Sequence, residues 1–379
     1  MKISFKHVPL VIALDKLYKI ASVASKSTAP NQGAFLFTVK KTATLITANN
    51  LEIVGNIAVF CLSNAEGVFV LPVEAFNVIK TFTVESVDFE ISNNILTITG
   101  GFDKITYVLN EEKLFTRPVK EYKQGMKSIP ISSEILLSFE RAMAFTFYDE
   151  MRPVFESIVI NIEDQKMRIY ATTGSILYKN TFNCPGIENT GNVMIPRQLH
   201  SSIRGLKKDD KTILMFSNDW IGIKSSSTGS EFYCRALTAT APAYERVIPT
   251  ETTMNFTVDN KELTKAVKIA LAIDSGVTNA VILSLNGKFD IMRENNQAGA
   301  KYRTSLKHEG KLPVEPFVTA FGPKLFEMGV DAFNSTAIQI QFTTPMKATL
   351  LHPIVEGKPT QEVVVMMPVK AIPDAIKTV

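Results

Sequence analysis

The sequence contains nearly the same short phrase three times: VLPVEAF at residues 70–76, MIPRQL at 194–199 and AFGPKLF at 320–326. In each copy a proline follows apolar residues and precedes a stretch with helical spacing. Pro72 and Pro196 are 124 residues apart, and Pro196 and Pro323 are 127 apart, in a chain of 379 residues. Proline is favoured at the first helical position, where its missing amide hydrogen would have no partner. The phrases therefore predict helices at 72–82, 196–207 and 323–333.

A second set of helices follows the same period. Apolar residues recur at helical spacing in residues 9–23, 133–146 and 260–273. The apolar stripe of the middle helix comprises Ile135, Leu136, Phe139, Ala142 and Met143, and that of the third comprises Leu263, Val267, Ala270 and Leu271. Asp259 and Glu262 predict a capping box at the start of the third helix.

Short segments with β patterning separate these helices. GAFLFTV, VDFEIS, SIVINI and TILMFS alternate in the manner of strands, and Asn93-Asn94 and Asn218-Asp219 predict hairpin turns. Each third of the chain then consists of a helix, strands, a second helix and further strands. Self-similarity at a fixed period indicates a repeated domain. The prediction is an α+β fold with three copies of one domain, at residues 1–124, 125–250 and 251–379, the last with a C-terminal extension.

Composition indicates an ordinary globular chain, with 45% hydrophobic residues and a net charge of +4. No apolar run reaches the roughly 18 residues of a membrane span, and Asp15 and Lys16 interrupt the only signal-like start. We therefore expect an intracellular location. Cys61, Cys184 and Cys234 are far apart in sequence, which predicts buried free thiols rather than a disulfide framework or a metal site.

Basic residues lie on the polar sides of the predicted helices. Two interpretations stay open: a solvated face, which is the usual role of surface lysine, or contact with phosphates. Acidic residues lie on the same helices, Glu74 and Glu140 among them, so any contact with phosphates is expected to be weak. The basic residues concerned are Lys16, Lys19 and, in the following loop, Lys26; Arg197, Arg204 and Lys208; and Lys261, Lys265 and Lys268.

Geometry offers a use for such helices. Helices packed side by side at about 9 to 10 Å would leave a hole of roughly 9 Å if six closed into a ring, and of roughly 26 Å if twelve did. A DNA duplex is on the order of 20 Å across. One chain supplies six helices, so two chains in a closed head-to-tail ring would admit a duplex.

Over its whole length the chain resembles the bacterial-type sliding clamp, the beta subunit of the replicative DNA polymerase III holoenzyme, in a divergent or phage-encoded form. The matching segments are PNQGAFLFTVKKTATLITANNLEI, YATTGSILY, APAYERVIP and VVVMMPVK, in this order and spacing. The resemblance implies three clamp domains per chain, with two helices of each lining a channel and strands forming outer sheets, a homodimeric ring around duplex DNA, and partners that include the polymerase and the clamp loader.

The resemblance also implies a hydrophobic pocket for short partner peptides. In the family, an ATDGxRL segment, a Pro-x-Tyr-x-Arg-Val segment and a C-terminal Met-Pro segment surround this pocket. Thr173 replaces the usual aspartate here, and residues 371–379 extend beyond the usual end, so peptide specificity is expected to differ. Leu177 and Val247 could instead be interdomain core. The implied pocket residues are Phe155, Thr172, Gly174, Leu177, Pro242, Arg246, Val247, Met367, Pro368 and Val369.

The resemblance further implies that Lys26 and Arg152 face DNA, although a surface ion pair is an alternative role for Arg152. It places the dimer contact between Ile105 and Tyr107 in the first domain and Leu271 and Ile273 in the third, where the alternative is ordinary core. Pairing across a subunit boundary would remove the liability of an open edge strand.

Nothing in the sequence predicts catalysis, a metal site or a cofactor. No GxSxG, HExxH, GxxxxGK[ST] or GxGxxG motif is present, and the four histidines are scattered. The prediction is a non-enzymatic processivity factor for DNA replication that slides on DNA without sequence specificity. Two alternatives stay open: a β-rich scaffold or virion protein with a triplicated fold, and an enzyme whose catalytic groups meet only in three dimensions.

Overall fold

The computed structural model describes residues 1–24, 33–50, 52–109, 115, 125–206, 211–237, 239–273, 280–295, 298–313 and 315–370. The chain packs as two compact units. The first comprises Met1–Leu137 and Ile195–Leu237, and the second comprises Ser138–Met194 and Thr238–Val379. Both helices and antiparallel sheets are present, which confirms the predicted α+β class.

The order of elements in the first third is one strand, a helix, four strands, a short helix and three strands. These elements are β1 (Lys2–Lys6), α1 (His7–Ala24), β2 (Ala34–Val39), β3 (Ala43–Asn49), β4 (Ile53–Ser63), β5 (Gly67–Pro72), α2 (Ala75–Ile79), β6 (Ser86–Ser92), β7 (Ile95–Gly100) and β8 (Asp103–Val108).

The same order of strands and helices recurs in the middle third. Here the elements are β9 (Lys127–Ile131), α3 (Ser133–Ala142), β10 (Ser157–Glu163), β11 (Lys166–Thr172), β12 (Ile176–Asn183), β13 (Gly191–Pro196), α4 (His200–Arg204), β14 (Thr212–Phe216), β15 (Trp220–Ser225) and β16 (Ser230–Arg235).

The last third repeats the order again and adds two strands of two residues each. Its elements are β17 (Met254–Asp259), α5 (Asn260–Ala272), β18 (Val281–Leu285), β19 (Phe289–Asn295), β20 (Ala300–Leu306), β21 (His308–Glu309), β22 (Phe317–Phe321), α6 (Pro323–Asp331), β23 (Ala337–Phe342), β24 (Thr349–Val355), β25 (Lys358–Pro359) and β26 (Val363–Met366). This repetition supports the three-domain division, whose boundaries near residues 124 and 250 stay a prediction.

Three sheets organise the two units. The first unit has a 12-stranded sheet in the order β8-β7-β6-β1-β4-β16-β15-β14-β9, to which β2, β3 and β5 are joined through β4. The second unit has a 10-stranded sheet, β13-β10-β11-β12-β26-β24-β23-β17-β21 with β25 beside β24, and a 4-stranded sheet, β20-β19-β18-β22. Strand β12 therefore lies between β11 and β26, an arrangement that positions the candidate site.

The repeated proline phrase marks three helices, but the role predicted for proline is correct in only one. Pro323 occupies the first turn of α6, after Gly322. Pro72 instead ends β5, and Pro196 ends β13 before a 3-10 turn at residues 197–199. In the described residues, the helices predicted at 72–82 and 196–207 are only five residues each, because the preceding strands extend to the prolines and turns, rather than α-helix, follow directly after them.

The apolar stripes form the buried faces of their helices. All five stripe residues of the middle helix are buried, although α3 ends at Ala142 and continues as a 3-10 turn. In α5 the stripe is Leu263, Ala266, Val267 and Ala270, and Leu271 is only half-buried, contrary to the prediction. The Asp259 half of the predicted capping box is confirmed, since the Asp259 carboxylate accepts a hydrogen bond from the Glu262 amide at 2.9 Å.

Local turns and thiols also agree with the sequence. Asn93 and Asn94 both have positive φ, 49° and 62°, and connect β6 to β7 as a tight hairpin. Asn and Asp tolerate this region better than most residues, which explains their use here. The three cysteines are buried free thiols, as predicted.

Candidate functional site

The hairpin of β11 and β12 forms the floor of the candidate peptide site. Thr172 and Leu177 are directly opposed on the two strands and are only 8% and 4% exposed. The Thr172 hydroxyl donates to the Ile176 carbonyl at 2.7 Å and accepts from the Gly174 amide at 2.9 Å. Gly174 has a φ of +90°, a conformation that glycine adopts without a steric cost. The sequence ATTGSIL therefore closes a tight, internally bonded turn.

The C-terminal segment forms a second side of the site. Strand β26 pairs with β12, and beyond it the Met367 amide donates to the Ser175 carbonyl at 2.9 Å and the Val369 amide to the Ala320 carbonyl at 2.8 Å. Met366 is buried, whereas Met367 is 45% exposed. Adjacent side chains of an extended chain point to opposite sides. The first methionine thus belongs to the core and the second is available to a ligand.

A 3-10 turn at Tyr244–Val247 packs against the same hairpin. The Tyr244 ring stacks on that of Tyr170 at 4.7 Å between centroids. Glu245 accepts hydrogen bonds from the Tyr170 hydroxyl at 2.6 Å and the Lys179 ammonium at 2.9 Å. Burial and these interactions with Glu245 raise the pKa of Tyr170 well above its usual range. Pro242, Arg246 and Val247 are left exposed beside the hairpin.

Phe155 lies at the turn of the hairpin. Its ring is 3.6 Å from the position that a Cβ on Gly174 would take. Its ring centroid is 5.4 Å from that of Phe147, and the Arg152 guanidinium lies 4.5 Å from the Phe155 centroid. Arg152 also pairs with Asp149 at 2.6 Å. The ion pair considered for Arg152 is therefore present, and the predicted contact with DNA stays a prediction.

A buried carboxylate anchors the strand that leads into the C-terminal segment. Arg141 donates to both oxygens of Glu362, at 3.0 and 2.7 Å, and the Tyr178 hydroxyl donates to one of them at 2.6 Å. The Ser138 hydroxyl is 2.8 Å from that of Tyr178. Burial first, and then the Glu362 charge, raise the pKa of Tyr178. This network fixes the start of β26 against α3 and β12.

The structure thus brings most of the predicted pocket residues to the surroundings of one hairpin, although their role in binding stays a prediction. Sequence reasoning missed Tyr170, Lys179 and Glu245. For Tyr170 the available signal was strand alternation, because Tyr170 is two residues from Thr172 and points to the same side of the sheet. The extension at residues 371–379 lies outside the described residues.

The basic residues of the first unit are partly exposed. Lys19, Arg197 and Arg204 are exposed, whereas Lys16 is half-buried and burial lowers its pKa. The Lys16 Cε lies 3.4 Å from the position that a Cβ on Gly205 would take, which places it at the end of α4. Lys26 and Lys208 lie outside the described residues.

The basic residues of the second unit line a groove along α5. Lys261, Lys265 and Lys268 are exposed and border a groove of about 710 Å³ together with Thr264 and Ile269. Lys268 also lies 3.6 Å from Asp331, a surface pair whose attraction is weak. The predicted common face of these lysines is confirmed, and their contact with phosphates stays a prediction.

The predicted dimer residues lie at half-buried positions rather than in the core. Ile105 and Tyr107 are half-buried on β8, the last strand in the order of the 12-stranded sheet, and Val108 on the same strand is largely exposed. Leu271 and Ile273 are half-buried at the end of α5. Ordinary core is therefore not their role within the chain.

Metal-binding clusters and membrane-spanning helices are both absent from the part of the chain that the structure describes. There, no group of three or more His, Cys, Asp and Glu side chains could hold a metal ion. No described helix has the length and apolar character needed to cross a membrane.

Comparisons with known proteins agree with this architecture. Residues 245–369 match the family model "DNA polymerase III beta subunit, C-terminal domain". A protein of Synechococcus elongatus, "Beta sliding clamp", is 23% identical over 304 residues, or 76% of this chain and 78% of that one.

Solved structures of low sequence identity share the fold. The beta subunit from the DNA polymerase of Streptococcus pyogenes has a TM-score of 0.87 at 18% identity, covering 98% of this chain and 100% of that one. The Helicobacter pylori beta clamp bound to a DNA ligase peptide has a TM-score of 0.83 at 18% identity, with the same coverage of both chains.

The fold is that of the DNA-clamp class. Its element order occurs three times, and nearly the whole chain superposes on clamp structures. Within that class the chain is similar to the bacterial-type sliding clamps, the beta subunits of DNA polymerase III, so the resemblance seen in the sequence is confirmed.

Proposed function

We propose that this protein is a non-enzymatic processivity factor of DNA replication. Two chains would form a head-to-tail ring that encircles duplex DNA and carries the polymerase along it. The observation that carries the proposal is the match of 98% of the chain to a clamp structure at a TM-score of 0.87. Such a role places the protein with the DNA, in the cytoplasm of a bacterial or phage-infected cell.

The proposed ring needs an interface at the edge of a sheet. Strand β8 ends the 12-stranded sheet and carries half-buried and exposed apolar side chains, with the fully exposed Phe102 just before it. An exposed edge of this kind invites pairing with another chain. We place Leu271 and Ile273 of the partner subunit opposite it, in a heterologous contact that closes after two copies.

Weak binding to DNA is an advantage in such a ring. Because the link is topological, the lysines of α5 and the basic residues of α1 and α4 need only contact phosphates, without reading bases. Contacts of this kind carry no sequence information and permit sliding.

The hairpin site would bind the partners. The Helicobacter pylori clamp was solved with a DNA ligase peptide, and the site on this chain presents exposed apolar side chains at Val247 and Met367. Methionine adapts to differently shaped ligands, and a few buried anchors carry most of the affinity of a short peptide. A polymerase held there would stay near its template through a high effective concentration.

The proposal is tested by comparing nicked circular DNA with the same DNA made linear. The protein is incubated with each form while its chains exchange between monomer and dimer, and each sample is then passed over a sizing column in moderate salt. A clamp co-elutes with the circle and is lost from the line. Equal retention on both forms would contradict encirclement, and a scaffold protein would show no preference.

A further inference from the structure

The exposed wall of the peptide site has little regular structure of its own. Between β16 and β17 the described residues contain no strand, and the 3-10 turn at Tyr244–Val247 is held internally by backbone bonds such as Arg246 amide to Ala243 carbonyl, at 3.1 Å. Side-chain contacts must therefore determine where this turn lies on the hairpin.

Two opposed side chains of the hairpin hold the 3-10 turn in place. Tyr170 and Lys179 are cross-strand partners, so their side chains are on the same side of the sheet. Both reach the Glu245 carboxylate: the Tyr170 hydroxyl at 2.6 Å from Oε1 and the Lys179 ammonium at 2.9 Å from Oε2. We call these three residues the Glu245 clasp.

The clasp is adjacent to the floor of the site. The neighbouring pair on the same side of the hairpin is Thr172 and Leu177, two residues further along each strand. Residues two apart on a strand are separated by about 7 Å. Val247, which is 54% exposed, follows Glu245 by only two residues. The clasp thus sets the distance between the floor of the site and its Pro242–Val247 wall.

We propose that Glu245 is a positioning residue for peptide binding, acting through the Tyr170 and Lys179 side chains rather than by touching the ligand. This inference rests on the proposed peptide-binding function. Without the clasp, the turn remains attached by the Tyr170–Tyr244 stack and the burial of the Tyr244 side chain. A site without its supporting shell becomes loose by an ångström or more, and affinity falls although every ligand-binding residue is intact.

The chain offers clean variants for a test. Tyr170→Phe keeps the ring stack and removes only the hydroxyl that reaches Glu245, and Glu245→Gln removes the charge. Glu294→Gln is the matched control, because Glu294 also pairs with a basic residue of the neighbouring strand, Lys301, at 3.6 Å, but in the separate 4-stranded sheet.

The first measurement needs no ligand. Hydrogen exchange followed by mass spectrometry reports the protection of residues 242–248 in the full chain. Tyr170→Phe and Glu245→Gln should each speed exchange there about tenfold, the size expected when one charge-assisted hydrogen bond is removed. The control should leave it unchanged. Unchanged exchange in both clasp variants would overturn the proposal, whatever the protein's function.

The second measurement uses a fluorescein-labelled copy of the DNA ligase peptide that the Helicobacter pylori clamp binds. Each clasp variant should weaken binding about tenfold, and the double variant by less than the product of the two effects, because both changes act on one side chain. Additive losses, or faster exchange with unchanged affinity, would contradict a positioning role. Absence of binding by the unaltered protein would instead contradict the proposed peptide site.

Discussion

The Arg141–Glu362 ion pair is a point at which removal of one charge is expected to destabilise the second unit. Glu362→Gln keeps the shape of the side chain and removes the charge that accepts three hydrogen bonds, two from Arg141 and one from Tyr178. The Glu362 side chain is 8% exposed and that of Arg141 is 32% exposed.

The expected cost follows from these exposures. Breaking a fully buried pair costs about 3 to 5 kcal/mol, because the remaining charge is left without a partner. Arg141 keeps contact with water, so part of this loss is recovered, and we expect about 2 to 3 kcal/mol. Adding Arg141→Met should cost less than the sum of the two single changes, since no lone charge then remains. Glu163→Gln, which changes a carboxylate that is 60% exposed and 4.0 Å from Arg168, should cost less than about 1 kcal/mol.

Hydrogen exchange of the amides that join β12 to β26 measures this free energy locally, which matters because separate units can unfold in separate transitions. The Tyr178–Val364 pair lies in this ladder. Protection equal to that of the unaltered protein in Glu362→Gln, or a fully additive double variant, would refute the account of Glu362 as an anchor.

Three further predictions concern other parts of the molecule. A Cβ on Gly329 would lie 2.6 Å from the Met366 sulfur, so Gly329→Ala should lower the melting temperature despite its better helix propensity, and adding Met366→Val should restore it. Burial, with the charges of Arg204 and Arg197, lowers the pKa of His200 to about 4. The unfolded chain takes up this proton near pH 6.5, so the free energy of unfolding should fall by roughly 3 kcal/mol between about pH 6.5 and pH 4, a fall that His200→Gln should abolish in acid titrations. The last prediction concerns the α5 lysines Lys261, Lys265 and Lys268. Replacing them by alanine should reduce the slope of log affinity for DNA against log salt concentration by about 0.9 for each phosphate that is no longer neutralised. An unchanged slope would exclude these lysines from the DNA-binding surface.

Much of the fold could be predicted because each third repeats one pattern. Helical spacing identified α1, α3 and α5, whose apolar stripes are long enough to distinguish a helix from a strand. The helices predicted at α2 and α4 were too long, because proline is also compatible with the end of a strand. Pro72, for example, is paired in register with Ala34. Local sequence does not distinguish these two roles, which depend on the partner strand.

The site was predictable only in part. The segments around Thr172, Pro242 and Met367 were identified through the resemblance, but composition and spacing alone would not have joined them. Glu245 and Glu362 were missed because a charged residue that meets its partners across 66 to 221 residues leaves no local signature. Arg152 shows the same limit, since its stack on Phe155 depends on the folded loop.

The most direct test of the central claim is to cut the DNA beneath the bound protein. The protein is first assembled on a nicked circle, and its dissociation is then timed after a single double-strand cut, with the new ends left open or blocked by bulky attached proteins. A topological link predicts rapid loss through open ends and retention when both ends are blocked. Slow loss that is the same in both cases would mean that contacts with DNA, rather than encirclement, hold the protein in place.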